Sequence, residues 1–509
     1  MNFRRLAVRS LPVALLVLAR TACFAQAAPP GPTGSLVDLV NSGEFAYNTL
    51  ERLSAYANQA SYNALTANPN GPLFCNAQTQ TGPSATCPAA TFLVFQNLRS
   101  LVQTANALLG NGGPTRYSLN INDQAVGFAL RWTAAEELSA PGSVATGFAN
   151  AQLAGVAQRI DALRFGASGF TVNGFQMNSG ESLLAWSRSP ALGGGASADD
   201  IGIASRWGGF LNSSFGWGER APSVLEDAFA FDSRDATVGI DYRFSRRFVL
   251  GLMGGYSDQR VDFDSSQSVV GGGIRSIGWS LQLYGLYEFD AGPYLNFSVG
   301  GQRTNYHTNR LITYPSFNPD VPAVDATATG QTTSTAILSN LNAGWPLNVA
   351  GFTAEPFVGL QYQGIRLDGF HETSVNNVTN AFVTAGSPAG FDFDYAEQHI
   401  NTFEGSVGVR FQYAFRPPFG VIVPYAKAEF HHRFDSGLTQ VNSSYNGIAS
   451  SGAGFDLPSD RPNSYYFQYA GGASVVLKHG IQAFVQYQSS AHVAFTTSHL
   501  ISGGIRGEF

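Results

Sequence analysis

Only 13% of the 509 residues are charged, against about 25% in ordinary soluble domains, while the chain carries 57 glycines, 38 phenylalanines and 20 tyrosines. That balance argues against a soluble enzyme and for a β-rich, aromatic-girdled chain. A formal net charge of −6 gives no electrostatic footprint for nucleic acid.

The chain opens on an export signal. Arg4, Arg5 and Arg9 form a basic start, residues 11–18 an apolar core, and Ala25-Gln26-Ala27 a small-x-small cleavage site, so residues 1–27 read as a signal peptide. The core falls short of the roughly 20 residues that span a bilayer, and Arg20 interrupts it. Cys23 belongs to that peptide, because Arg20 and Thr21 stand where a lipobox needs an aliphatic and a small residue. After cleavage only Cys75 and Cys87 remain, close in sequence and bound for an oxidising compartment. A disulfide between them is expected, worth roughly 3 kcal/mol as a short loop closure.

Residues 28–204 read as a small, mainly helical region. Helical periodicity covers 36–65, with Gly43 as a breaking point, then 91–109, 126–138 and 148–165, separated by a cysteine-bearing loop over 68–88. In the last of these helices Leu153, Val156, Ile160 and Leu163 recur at three- and four-residue spacing. Arg159 and Arg164 suit the negative end of its macrodipole. No internal repeat of about 20–30 residues is present, which argues against a solenoid.

Catalysis finds little support. All eight histidines lie at position 307 or beyond, which removes a Ser-His-Asp triad, a Cys-His pair and a His-ligated metal from the helical region. Gly180-Glu181-Ser182-Leu183 departs from a Gly-Asp-Ser-Leu hydrolase motif and has no partner histidine. His431 and His432 are neighbours in a strand and face opposite ways. The expectation is therefore no enzyme, no metal and no cofactor.

From residue 207 the period falls to two. No later run offers about 18 uninterrupted apolar residues, so a closed barrel is the remaining way across a membrane. Segments of barrel-strand length cover 207–217, 235–244, 248–257, 274–289, 294–307, 331–347, 352–368, 401–415, 421–435, 464–477, 481–490 and 497–509. Tight turns at 245–247, 290–293, 348–351, 416–420 and 478–480 alternate with longer polar stretches around 218–234, 258–273, 308–330, 369–400, 436–463 and 491–496. Short turns on one rim and long loops on the other put both barrel ends on the periplasmic side.

Alternation assigns the faces. Val238, Ile240, Tyr242 and Phe244 look outward, and Thr237, Asp241 and Arg243 inward. By the same parity Glu355, Glu404, Arg410, Lys427, Glu429, Arg506 and Glu508 point to the lumen, where they solvate and brace the pore. In the closing strand Ile501, Gly503, Ile505 and Phe509 share the lipid face, and Ser502, Gly504, Arg506 and Glu508 the opposite one.

These segments carry a family likeness. Trp207-Gly208-Gly209-Phe210, then Val238-Gly239-Ile240-Asp241-Tyr242-Arg243-Phe244 and Leu250-Gly251-Leu252-Met253-Gly254-Gly255-Tyr256, resemble the opening of the autotransporter translocator domain. Pro424-Tyr425-Ala426-Lys427-Ala428-Glu429-Phe430 with Phe434 resembles its late strands, and Gly503-Gly504-Ile505-Arg506-Gly507-Glu508-Phe509 its last. The likeness runs over 205–509. It implies a type Va secretion barrel of twelve antiparallel strands in the outer membrane of a Gram-negative bacterium. It further implies handling by periplasmic chaperones and insertion by the outer-membrane assembly machinery, with Ile501, Gly503, Ile505 and Phe509 in the insertion signal. A pore-threading helix is expected from 158–166, or alternatively from 180–187. The helical region would then be a short passenger displayed for binding or adhesion to an unknown surface ligand. A channel or structural barrel with a periplasmic helical region is the alternative.

Overall fold

The computed structural model describes residues 33–134, 140–164, 171–172, 175–176, 206–263, 271–290, 292–349, 351–434, 440–451, 453–477 and 482–508. The proposed signal peptide, the alternative plug at 180–187, the last turn at 478–480 and Phe509 lie outside them. Twelve long strands form a closed antiparallel barrel. They are β1 (Trp207–Arg220), β2 (Phe229–Arg243), β3 (Phe248–Phe263), β4 (Gly271–Glu288), β5 (Tyr294–Tyr314), β6 (Val324–Gly344), β7 (Phe352–Leu367), β8 (Gln398–Tyr413), β9 (Gly420–Arg433), β10 (Tyr465–Leu477), β11 (Gln482–Ala491) and β12 (Thr496–Glu508). Each pairs with its successor, and β12 closes on β1 from Thr496 opposite Arg220 to Glu508 opposite Gly208.

The alternation along each strand is what lets the barrel face lipid. Val238, Ile337 and Ile505 are about 60% exposed on the outer surface, while Asp241, Glu355 and Arg506 are buried on the inner one. No described helix is long and apolar enough to cross a membrane.

The long-loop rim departs from the sequence reading. β5 continues to Tyr314 and β6 begins at Val324, so little of 308–330 is loop. The stretches 369–400 and 436–463 hold short strands at Phe370–Asn376, Phe393–Tyr395, Gln440–Tyr445 and Phe455–Pro458, which pair in that order as an annex to the barrel. These runs are too short and too interrupted by glycine, serine and asparagine to carry a strand signal alone. They form because Phe393, Tyr395, Val441, Tyr445, Phe455 and Leu457 have a partner to bury against.

That partner is the helical region. Helices α1 (Ser35–Asn41), α2 (Thr49–Thr66), α3 (Ala89–Leu109) and α4 (Asp123–Trp132) pack as a small bundle. The helix expected over 36–65 is two, separated at Gly43, whose φ of +81° suits glycine. Asn48 starts α2 with a reciprocal capping box: its Oδ1 accepts from Glu51 N at 2.8 Å while its own N–H donates to Glu51 Oε2 at 2.7 Å. Leu36, Leu50, Leu65, Phe95, Leu98 and Leu130 share one core with the annex and with Ile312 and Tyr314 at the end of β5. The bundle is thus a cap seated on the long-loop rim. Tyr445 donates to Asn58 Oδ1 at 2.8 Å, and burial holds its phenol well above the usual range, so it stays a neutral donor.

Cys75 and Cys87 are bonded, with Cα atoms 5.2 Å apart and both side chains fully buried. Exchanging both for serine should lower the stability of the cap by about 3 kcal/mol. The measurement is the denaturant midpoint for proteolysis of the cap, with the barrel's own heat-modifiable gel mobility unchanged.

Candidate functional site

The lumen is occupied by a fifth helix, α5 (Ala140–Arg164), which runs from the cap side toward the short-turn rim and packs most against β3–β7. Its sequence keeps it narrow: Gly147, Ala149, Ala151, Ala154, Gly155 and Ala157 present little side chain. The wall is hollowed to match. A methyl at Gly278 would overlap the Phe148 ring, and one at Gly255 would overlap the Gln152 amide. Gly278→Val should therefore displace the upper part of α5, seen as added conductance in a planar bilayer.

Polar contacts then fix the register of α5. Gln363 donates to Asn150 Oδ1 at 2.6 Å, Ser280 to Gln152 Oε1 at 2.7 Å, and Gln158 to Ser502 Oγ at 2.7 Å. Two arginines anchor the lower end. Arg159 is bidentate on Asp241, at 2.6 and 2.8 Å, and Tyr284 donates to the same carboxylate at 2.7 Å. Arg164 is bidentate on Glu355, at 2.7 and 2.6 Å, with Tyr294 donating to Oε1 at 2.9 Å and its ring 3.4 Å from the guanidinium carbon. Forked, charge-assisted pairs of this kind set direction as well as energy.

Each charge assigned to the lumen by parity can now be placed. Asp241 and Glu355 hold the helix. Arg410 reaches Asp161 of α5 at 2.5 Å, and Arg506 donates to the Gln158 carbonyl at 2.9 Å. Glu404 accepts from Arg433 Nε at 2.6 Å and from Tyr466 at 2.9 Å, Lys427 pairs with Glu429, and His431 Nε2 lies 3.0 Å from Glu429 Oε2. Arg243 is half-buried at the short-turn end of β2. Glu508 closes β12 opposite Gly208. Ile501 and Ile505 are exposed on the outer face, and Gly503 is half-buried between them.

Space remains in the lumen beside α5 and reaches both halves of the wall, from Phe229 and Val261 to Tyr466 and Gln486. A cavity of about 390 Å³ runs beside the helix, lined by Asp161, Glu404, Arg410, Lys427, Glu429 and Gln486 among others. Among the described residues no cluster of three or more His, Cys, Asp or Glu forms a metal-binding group.

A family model of the autotransporter beta-domain matches residues 209–488, more than half of the chain. The chain belongs to the autotransporter family. Its barrel is a secretion domain of the Gram-negative outer membrane, and α5, which contains 158–164 of the first stretch expected to thread the pore, lies in its lumen. Solved structures similar to this autotransporter include the translocator domain of NalP from Neisseria meningitidis, at 14% identity and a TM-score of 0.44, covering 72% of this chain and 98% of that one. The beta domain of the Bordetella autotransporter BrkA follows at 16% and 0.40, covering 59% and 99%. The Ralstonia pickettii toluene transporter TbuX stands at 10% and 0.39, covering 60% and 90%. Likenesses this loose reach secretion and uptake barrels alike, so the family assignment rests on the sequence model. A search of the curated proteins gave no match.

Strand parity gives the inward acids of this autotransporter but not their partners. The macrodipole is an incomplete account of Arg159 and Arg164, since each meets a carboxylate across the lumen. Their five-residue spacing, facing one acid on β2 and one on β7, was the available signal.

Proposed function

We propose that this autotransporter carries residues 28 to about 134 through its barrel and retains them at the cell surface as a folded, disulfide-bonded passenger that binds a partner there. The observation that carries the reading is the shared core of the cap and the long loops, linked by α5 to the short-turn rim where β1 begins. Outer-membrane barrels place long loops outside and short turns in the periplasm. The same core favours retention over release, and it speaks against a channel whose helical region stays in the periplasm. Within this reading the domains are 1–27, 28–204 and 205–509, and the closing strand with Ile501, Gly503, Ile505 and Phe509 guides assembly into outer-membrane lipid.

An epitope inserted at the exposed Asn70 tests the display. Antibody should stain intact cells, and external protease should remove the signal. Staining that appears only after permeabilisation would refute the proposal.

A further inference from the structure

The outward-facing arginines of the barrel are unevenly placed. Arg234, Arg260, Arg275, Arg303 and Arg366 all lie on β2–β7, and among the described residues β8–β12 present no outward lysine or arginine. They also keep a fixed relation to the outward aromatics. Arg260 lies four residues beyond Tyr256 toward the long-loop rim, Arg275 four beyond Trp279, and Arg366 four beyond Tyr362. Arg303 is the cross-strand partner of Trp279, which in turn packs on Tyr256 with ring centroids 4.8 Å apart. Four strand residues span about 13 Å, or about 10 Å along the normal of a tilted barrel. Aromatic rings mark the edge of the hydrocarbon, which sets Arg260, Arg275 and Arg366 at headgroup level, while Arg303 starts level with the rings on a stem long enough to snorkel to the headgroups.

At that level the surface is also hollow. Arg260, Arg275, His307 and His371 line an open groove of about 920 Å³ together with Gly272, Gly273 and Gly330. Asp258 takes the Nε edge of Arg275 at 3.3 and 3.0 Å, and Glu397 one nitrogen of Arg366 at 2.5 Å. Asp262 lies at the groove margin. No ion pair engages Arg260, Arg303 or His307 among the described residues.

We propose that this face is a binding site for the phosphorylated glycolipid of the outer leaflet, with Arg260, Arg275 and Arg303 receiving its phosphates. Three observations select that occupant over a soluble anion: the cations face lipid, Arg260 and Arg275 stand at headgroup depth, and stacked Tyr256 and Trp279 lie beneath those two, with Arg303 beside Trp279, for the acyl-sugar boundary. Arginine's fork suits phosphate, and charge-assisted bonds of this type are the stronger class.

The test uses the full-length protein in detergent micelles and three probes: diphosphoryl lipid A, its dephosphorylated form, and inorganic phosphate. Binding is read by native mass spectrometry and by the shift in thermal unfolding. Diphosphoryl lipid A should bind, and R260Q/R275Q/R303Q should bind it at least about tenfold more weakly, each lost contact being charge-assisted. R260K/R275K/R303K should recover part of the affinity. Heat-modifiable mobility reports that each variant is folded, which is expected because all three side chains point away from the core. Equal binding by the parent and the glutamine variant would overturn the proposal. So would equal binding of the dephosphorylated lipid, or full occupancy by inorganic phosphate alone.

Discussion

Replacing Asp241 with alanine should unseat the plug helix. The Arg159 guanidinium is 1% exposed and its carboxylate partner 4%, so the substitution strands a buried cation. Breaking a buried pair from one side costs about 3–5 kcal/mol. A loss of about 3 kcal/mol changes the ratio of seated to unseated helix by about 150-fold. The strands keep their own ladder, so the loss falls on seating and leaves the barrel folded. Planar-bilayer recordings should show long-lived openings for Asp241→Ala that the parent lacks. Pairing it with Arg159→Ala removes the stranded charge, and that double variant should open less often than Asp241→Ala alone. Parent-like conductance for Asp241→Ala would mean that this pair does not hold the plug.

The barrel was readable because each of its strands obeys a rule visible one strand at a time. Alternation from Val238 to Phe244, or from Ile501 to Ile505, follows from lipid on one side and a polar lumen on the other. The helix at Ala89–Leu109 is likewise legible from apolar spacing, as is Ala140–Arg164 from residue 148 onward, whereas its first two turns carry Pro141, Gly142 and Gly147 and give no such signal. What resisted reading was everything that depends on two distant segments meeting. Phe393 and Tyr445 lie 52 residues apart in sequence and have no strand signal of their own, yet their rings stack with centroids 4.4 Å apart beneath the cap. Gly255 and Gly278 read as ordinary strand glycines until Gln152 and Phe148 are set against them. The partners of Asp241 and Glu355 were hidden for the same reason. Parity tells where a side chain points, and only the threaded helix tells what it meets.

The cap should detach when its tie to the barrel is cut at Glu372. Arg310 on β5 donates to Glu372 at 2.8 Å, to the Phe391 carbonyl at 3.3 Å and to the Trp132 carbonyl at the end of α4 at 3.3 Å. Its guanidinium lies 5.1 Å from the Phe393 ring, and Tyr395 donates to Glu372 at 3.2 Å. Both charges are essentially unexposed, so Glu372→Ala leaves Arg310 buried without its counter-charge and should cost about 3–5 kcal/mol. Phe393→Ala, which opens a cavity in the same core, should cost a similar 3–5 kcal/mol. In either variant the cap should become sensitive to protease while the barrel keeps its heat-modifiable mobility; a cap as resistant as the parent's would refute the tie. The wider consequence concerns order of events. Tyr314, Phe391, Phe393, Tyr445, Phe455 and Leu457 supply cap core from beyond residue 300, so residues 28–134 alone lack much of the apolar surface they bury in the whole chain. A small domain deprived of that surface falls below the stability that offsets its chain entropy. The isolated segment should therefore show little cooperative unfolding by circular dichroism, and addition of the barrel in detergent should restore it. On the display proposed above, a passenger that completes its core only against the outer loops stays threadable until it has crossed, and its folding there opposes return.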